Sequence, residues 1–201
     1  MFLNAVSQGL RMGKGKFGSE IAAIVKELER REREQDRILS GTREIIRHCS
    51  NGIKLAHAGE LKKAKAEIAA AERKAAPFSK TEQFGYLLEQ TYQEIAEARL
   101  FLAAAEGKSL PTWKGLGMPF EPYLLGLCDL VGELRREMLE MLKKGRMKDA
   151  ERHFELMSGI YDELLPIRFS NSLLPNFRKK QDVARMQVEQ ARSELVRAKM
   201  R

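Results

Sequence analysis

The segment EPYLLGLCDLVGELRREMLEMLKK, residues 121–144, indicates a helical fold, because its apolar residues recur at the spacing of one helical face. At about 100° per residue, these side chains form a single stripe along the helix. The stripe consists of Leu124, Leu127, Val131, Leu134, Met138 and Leu142. Asp129 and Glu133 lie one turn apart on another side of the same helix. Two lysines followed by Gly145 are typical of a helix end, so the stretch predicts one long amphipathic helix.

Helical patterns of the same kind cover the rest of the chain, and no segment alternates apolar and polar residues as a strand would. The predicted helices cover residues 20–58, 60–76, 79–105, 122–144, 147–165 and 176–201. Ser19 is the expected cap of the first helix, while Pro77 and Pro166 end the second and the fifth. The sequence therefore predicts an all-α protein of six or seven helices in one domain, residues 19–201. Residues 1–18 are expected to form a flexible N-terminal tail.

The composition restricts the binding partners and the cellular location that we expect for this protein. The chain has 36 Lys and Arg residues against 28 Asp and Glu residues, a formal charge of +8, which permits a polyanionic partner without requiring one. No apolar run approaches the roughly 18–20 residues of a membrane span, and the N-terminus lacks a signal-peptide core. Cys49 and Cys128 lie in helical patterns without CxxC spacing, so we expect buried, reduced thiols and a cytoplasmic protein.

Two pairs of carboxylates lie on helix faces that are not plainly exposed to solvent. Glu94 falls at the edge of the apolar stripe of the third predicted helix, and Glu97 shares its face. Asp129 and Glu133 share their face of the fourth predicted helix with two glycines. Glycine costs a helix interior about 1 kcal/mol relative to alanine, and it often marks the close approach of another backbone or a ligand. Both pairs are therefore candidates for a role beyond solvation.

The residues alone leave that role open. Salt bridging to Arg or Lys is the commoner role for such carboxylates. If the two helices pack together, however, the four side chains would offer oxygen ligands suited to Mg²⁺ or Mn²⁺, and such a site suits phosphodiester hydrolysis. None of the three histidines follows a glutamate by three residues, as a di-iron helical bundle would require. No local serine–histidine or cysteine–histidine signature is present either.

Three segments resemble one known family. YLLGLCDLVGELRR (123–136) is similar to the YLLG-x-x-D-x-x-GEL segment of the translin and translin-associated factor X family. QEIAEA (93–98) resembles that family's QE-x-x-EA segment, and FRKKQDVARMQVE (177–189) resembles its basic final helix. The resemblance extends over the chain from about residue 19. Within the family, translin binds RNA and single-stranded DNA, whereas the factor X branch is an Mg²⁺-dependent endoribonuclease.

The resemblance implies a seven-helix fold that assembles into a hollow homo-octamer with active sites on the inside. It places this chain in the nuclease branch, similar to compact prokaryotic homologues, because all four acidic positions of that branch are filled. The implied catalytic and metal-binding residues are Glu94, Glu97, Asp129 and Glu133, with Mg²⁺ or alternatively Mn²⁺ as cofactor. The implied substrate is single-stranded or partly unpaired RNA, and single-stranded DNA is a further candidate ligand.

Basic residues of the last helix are the expected nucleic-acid contacts: Arg178, Lys179, Lys180 and Arg185. Phosphate contacts of this kind bind with little sequence preference and a steep salt dependence. Trp113 and Phe120, before the fourth long helix, are expected to pack between subunits, with base stacking as the alternative. Two other functions stay open: a non-catalytic RNA- or DNA-binding shell, and a scaffold in which the acidic pairs form interface salt bridges. Assembly from this chain alone or with a translin-like partner is also left open.

Overall fold

The computed structural model describes the backbone of residues 2–78 and 85–200, and within those ranges the side chains of residue 15 and of residues 17 onward. Over this part of the chain there are seven α-helices and no β-strand, which confirms the all-α prediction. The helices are α1 (Phe2–His57), α2 (Leu61–Ala75), α3 (Glu89–Ala105), α4 (Trp113–Leu116), α5 (Phe120–Lys143), α6 (Met147–Leu164) and α7 (Phe177–Lys199). Short 3₁₀ turns occupy Ala76–Phe78 and Gly85–Leu87.

Two predicted helix starts differ from the structure. The first helix begins at Phe2 and not after Ser19, so Ser19 lies inside α1 and is not its cap. The segment before Ser19 contains no proline, so nothing in it forces the helix to stop. The flexibility predicted for residues 1–18 stays a prediction. The third helix begins at Glu89; of the earlier residues assigned to it, 85–87 form a 3₁₀ turn and 79–84 lie outside the described residues.

Glycine ends the longest helices where the sequence predicted that it would. Gly59 (φ 77°) follows the end of α1, and Gly145 (φ 69°) follows α5, both in the left-handed conformation that glycine adopts without strain. After α5, the N–H of Gly145 donates to the carbonyl of Leu142 over 3.0 Å, and that of Arg146 donates to Met141 over 2.9 Å. These bonds satisfy carbonyls that the helix end leaves free, and the chain then begins α6 at once.

The chain divides into two compact units, residues 1–41 and residues 42–201. In the larger unit α5 is central, since it packs against α3, α6 and α7. Of its predicted stripe, Val131, Leu134 and Met138 are buried, whereas the other three members are only half-buried. Burial extends instead to Pro122, Gly126, Cys128, Leu130 and Met141. A helix enclosed on three sides buries more than the one face that a periodic stripe predicts.

Both cysteines are buried and free, as the sequence predicted. On α3, the buried residues include Ile95, Phe101 and Leu102. None of the helices in the described part of the chain is long and apolar enough to cross a membrane.

The smaller unit is the N-terminal part of α1, and its charged segment, residues 27–37, carries exposed ion pairs. The Nε of Arg30 donates to Glu27 over 2.9 Å, and the Nε of Arg31 donates to the same glutamate over 2.8 Å. Exposed pairs of this kind contribute little stability. Large apolar side chains at helical spacing are exposed along the chain from residue 17 to residue 28: Phe17, Ile21, Ile24, Val25 and Leu28. We refer to these five residues as the α1 apolar stripe.

Candidate carboxylate site

Gly126 brings α3 and α5 into close contact. A Cβ atom on Gly126 would lie 2.8 Å from the Cβ of Ala96 and 3.0 Å from both the carbonyl oxygen of Gln93 and the amide nitrogen of Glu97. Only glycine fits there, because a methyl group would collide with backbone atoms that cannot move aside. Gly132 faces open space, with no atom of the described residues within 4 Å of an added Cβ, so it marks no close approach of a backbone, and its role beside a ligand stays a prediction.

The close contact places Glu94 and Glu97 of α3 beside the acidic face of α5. Both side chains are half-buried. Burial, reinforced by the negative charges of Asp129, Glu94 and Glu133, raises the pKa of Glu97 to about 8. Burial and then Asp129 raise the pKa of Glu94, against the opposing effects of Lys180 and of a hydrogen bond with Gln90. The four predicted carboxylates are therefore close enough to repel one another electrostatically.

Asp129 is held by two side chains from different helices. The ammonium group of Lys180, on α7, donates to Oδ1 over 2.5 Å and to Oδ2 over 2.6 Å. The amide of Gln93, on α3, donates to Oδ2 over 2.6 Å. Lys180 was predicted as an RNA contact with its basic neighbours, but the structure pairs it with Asp129. This pair could not be predicted from the sequence, because the two residues are 51 positions apart.

Glu133 is bound to the last residue of α1. Nε2 of His57 lies 2.5 Å from Oε2 of Glu133, and Nδ1 of the same ring lies 2.7 Å from Oε2 of Glu137, one turn further along α5. Burial alone would lower the pKa of His57, but the hydrogen bonds with Glu133 and Glu137 raise it above its ordinary value. The hydrogen bond with His57 in turn lowers the pKa of Glu137. Sequence reasoning missed His57 and Glu137, and only the one-turn spacing of Asp129, Glu133 and Glu137 hinted at the latter.

The donor set suits a hard divalent cation, although the side chains are not arranged around one. Within the described residues, no group of three or more His, Cys, Asp or Glu side chains is placed to hold a metal ion. The reason is visible at the two α5 residues, since Asp129 faces Lys180 and Glu133 faces His57. Glu94 and Glu97 have raised pKa values because they are half-buried and, secondly, because the negative charge of Asp129 lies nearby. Carboxylate oxygens under such mutual repulsion are the ligands that Mg²⁺ prefers.

A groove of about 930 Å³ borders this site. Its lining includes Gln93 and Lys180, the two side chains that hold Asp129, together with Tyr92, Tyr86 and Asn176. None of the four carboxylates lines this groove, so it borders the site only through the two side chains that hold Asp129.

The other basic residues predicted on the last helix lie on its surface. Arg178, Lys179 and Arg185 are exposed, and Arg185 forms an ion pair of 3.7 Å with Asp182. Arg178 and Arg185 also line a second groove, of about 460 Å³, with Phe169. These three cations stay available for phosphate contacts, unlike Lys180.

Trp113 and Phe120 contact each other edge to face, with ring centroids 6.1 Å apart. Both remain partly exposed, at 38% and 46%. Their predicted packing between subunits, or alternatively base stacking, stays a prediction.

Comparison with known proteins gives one family and one fold. The Translin family model matches residues 19–196. An uncharacterized protein of Methanocaldococcus jannaschii is 30% identical over 182 residues, which cover 88% of this chain and 82% of that protein. The structure of AfC3PO in complex with duplex RNA is 33% identical with a TM-score of 0.82, covering 90% of this chain and 97% of that one. A crystal structure of AfC3PO is 31% identical with a TM-score of 0.80 and the same coverage. The likeness to apo-NeC3PO, at 20% identity and a TM-score of 0.81, covers 89% of this chain and 96% of that one, and concerns the fold alone.

Proposed function

Because this chain belongs to the translin family, we propose that it is an Mg²⁺-dependent endoribonuclease of the translin-associated factor X type. Its substrate would be single-stranded or partly unpaired RNA. The observation that carries the proposal is the group of four carboxylates from α3 and α5, where burial, reinforced by repulsion from the other three, raises the pKa of Glu97 to about 8. A protein rarely collects unbalanced carboxylates in a half-buried site unless a cation or a reaction uses them.

Glu94, Glu97, Asp129 and Glu133 would hold the metal. Bound Mg²⁺ supplies charge neutralisation at the scissile phosphate and lowers the pKa of an attacking water. Mn²⁺ is an alternative with similar ligand preferences. The chain itself contributes the positions of the carboxylates: Gln93 holds Asp129, and His57 holds Glu133. We assign the approach of RNA to the groove beside Gln93 and Lys180.

RNA binding and assembly belong to the same proposal. AfC3PO, to which this chain is similar over 90% of its length, has been solved with duplex RNA. For this chain, we assign RNA binding to the exposed cations Arg178, Lys179 and Arg185, with single-stranded DNA as a further ligand. We also propose a homo-oligomer, specifically a hollow octamer, in which the α1 apolar stripe is buried.

The test uses variants at the two helices. Glu94→Ala and Asp129→Asn should each abolish cleavage of a labelled oligonucleotide in Mg²⁺ while RNA binding survives. Glu140→Ala, also on α5 but ion-paired outward with Lys143, is the matched control and should cleave normally. Full activity in both site variants would refute the proposed nuclease.

One observation favours a second candidate, a non-catalytic RNA-binding protein of the translin type. Asp129 already has a cation partner in Lys180, so the described carboxylates are partly neutralised without metal. The discriminating experiment is cleavage with Mg²⁺ and with EDTA. Purified protein that binds RNA but never cleaves it under either condition would establish this second function.

A further inference from the structure

Three arginines line the groove of about 460 Å³ at which α6 ends and α7 begins. The charged residues of its lining are Arg168, Arg178, Arg185 and Asp182. With three arginines against one aspartate, the lining has an excess of two positive charges. Asp182 is ion-paired with Arg185 over 3.7 Å, whereas no ion pair within the described residues neutralises Arg168 or Arg178. The groove is therefore suited to an anionic ligand.

Phe169 adds an aromatic face to the same groove without belonging to the core. It lies in the segment between α6 and α7, outside any helix, and is 64% exposed. Tyr161, in the last turn of α6, lines the groove as well and is half-buried. A single exposed aromatic residue is common on protein surfaces and indicates nothing by itself. Here, however, it lines one concave site together with arginines whose charge is not balanced.

A ligand that carries both a phosphate and an aromatic base fits this combination. Guanidinium groups bind phosphate oxygens through paired hydrogen bonds, and aromatic side chains stack on nucleic-acid bases of any kind. The volume lies within the range of about 300–1,000 Å³ that is usual for small-ligand sites, which is room for a single nucleotide. Within a duplex each base is already stacked between its neighbours, so only an unpaired base can stack on a protein ring.

We propose that this groove is a subsite for one unpaired nucleotide of RNA, in which Phe169 stacks on the base while Arg168 and Arg178 contact the adjoining phosphates. The inference rests on the proposed function, since it requires that RNA be the ligand. It also gives a physical reason for a preference for unpaired RNA, which phosphate contacts alone do not provide. Arg168 and Phe169 are new members of the RNA-binding surface, because the helical pattern of the sequence assigned them only to a connecting segment.

Packing of Phe169 against a second copy of the chain is the competing explanation. The two roles predict different results. Stacking requires a base on the ligand, so its loss weakens binding only of strands that carry unpaired bases. Packing between copies does not involve the ligand, so its loss changes the molar mass of the protein.

The experiment measures binding by fluorescence anisotropy on the full chain in EDTA, where no Mg²⁺-dependent cleavage occurs. The labelled ligands are a single RNA strand, a strand of the same length with abasic sites in place of its bases, and a blunt duplex. We expect Phe169→Leu to weaken binding of the normal strand by at least about 5-fold and to leave the other two ligands unchanged. Phe169→Trp should keep the affinity for the normal strand. Val196→Ala, at a 53% exposed apolar residue of α7 outside the groove, is the matched control.

Arg168→Ala tests the phosphate contact separately from the base. This variant should weaken binding of the normal strand and of the abasic strand alike, because both carry the same phosphates. It should also reduce the slope of log affinity against log salt concentration by about 1. An unchanged slope and affinity in Arg168→Ala would remove this residue from the subsite.

The failure of the inference differs from the failure of the proposed function. Wild-type protein that binds none of the three ligands would refute RNA binding, and the subsite with it. If the wild type binds the normal strand and Phe169→Leu binds it equally well, the stacking role alone is wrong. The same conclusion follows if Phe169→Leu loses affinity equally for the normal and the abasic strand, or if light scattering shows that it changes the molar mass.

Discussion

At Glu97, burial and the neighbouring negative charges both raise the pKa, so the stability of the metal-free protein should depend on pH. The pKa of this residue is about 8 in the folded chain against 4.5 for the free side chain. The folded state thus retains a proton that the unfolded chain loses as pH rises above 4.5. The contribution of Glu97 to stability is fully present below pH 4.5 and is lost as pH rises toward 8, by at most about 1.4 kcal/mol per pH unit.

We therefore expect the protein in EDTA to unfold at a lower temperature at pH 8 than at pH 5.5. Glu97→Gln, which keeps the shape without the charge, should be more stable than wild type at pH 8 and should flatten the dependence. The raised pKa of His57 acts in the same direction, but it is present in both proteins and cancels in the comparison. Thermal unfolding at one fixed protein concentration measures the difference; equal pH profiles for the two proteins would contradict the burial of Glu97.

Substitution of Lys180 and substitution of its neighbours on α7 should have different effects, the first on metal binding and the second on RNA binding. Lys180→Ala removes the cation from Asp129, so less Mg²⁺ should be needed for half-maximal cleavage.

The double variant Arg178→Ala/Lys179→Ala removes exposed charges, so it should weaken RNA binding for all sequences. It should also reduce the slope of log affinity against log salt concentration by about 1–2. Lys62→Ala, an exposed lysine of α2, is the charge control. A salt slope that falls as much in Lys180→Ala as in the double variant would assign Lys180 to RNA instead.

For individual residues, the sequence predicted which carboxylates could bind a metal better than it predicted which side chains those carboxylates contact. Periodicity placed Glu94 near the core, and the family resemblance selected the four carboxylates. Neither could pair His57 with Glu133, which is 76 positions away, because that contact exists only after α1 and α5 have packed. The same holds for Lys180, because its contact with Asp129 forms only when α7 packs against α5.

Between elements, the spacing of α3 and α5 depends on one glycine. Gly126→Ala would put a methyl group 3.0 Å from backbone atoms of Gln93 and Glu97, so the helices must separate at the carboxylates. We expect a loss of about 1–3 kcal/mol in the free energy of unfolding together with weaker metal binding. Gly132→Ala is the matched control, because its methyl group meets nothing and alanine favours the helix by about 1 kcal/mol. Chemical denaturation of both variants measures this; stabilisation by Gly126→Ala would contradict the close contact.

Helix ends were predictable where a residue forbids continuation and not elsewhere. Gly59 and Gly145 follow α1 and α5 as predicted, and α6 ends just before Pro166. The start of α1 was wrong because Ser19 permits a cap without requiring one, and α1 continues through it. Packing partners were the other limit: a periodic stripe gives one buried face, whereas α5 is enclosed by three helices.

For the whole molecule, the α1 apolar stripe is the surface on which the proposed oligomer can be tested. Its members are 43–65% exposed, and Ile24 and Leu28 lie one turn apart in it. Apolar side chains in such a row are buried in stable assemblies, so Ile24→Glu/Leu28→Glu should reduce the oligomer to smaller species by light scattering. Lys26→Glu lies on the opposite face and changes the net charge by the same two units, so it should leave the mass unchanged. A wild-type monomer, or an unaltered molar mass in the double variant, would exclude this stripe as the assembly surface. If the double variant forms smaller species and also loses cleavage, the carboxylate site needs the oligomer.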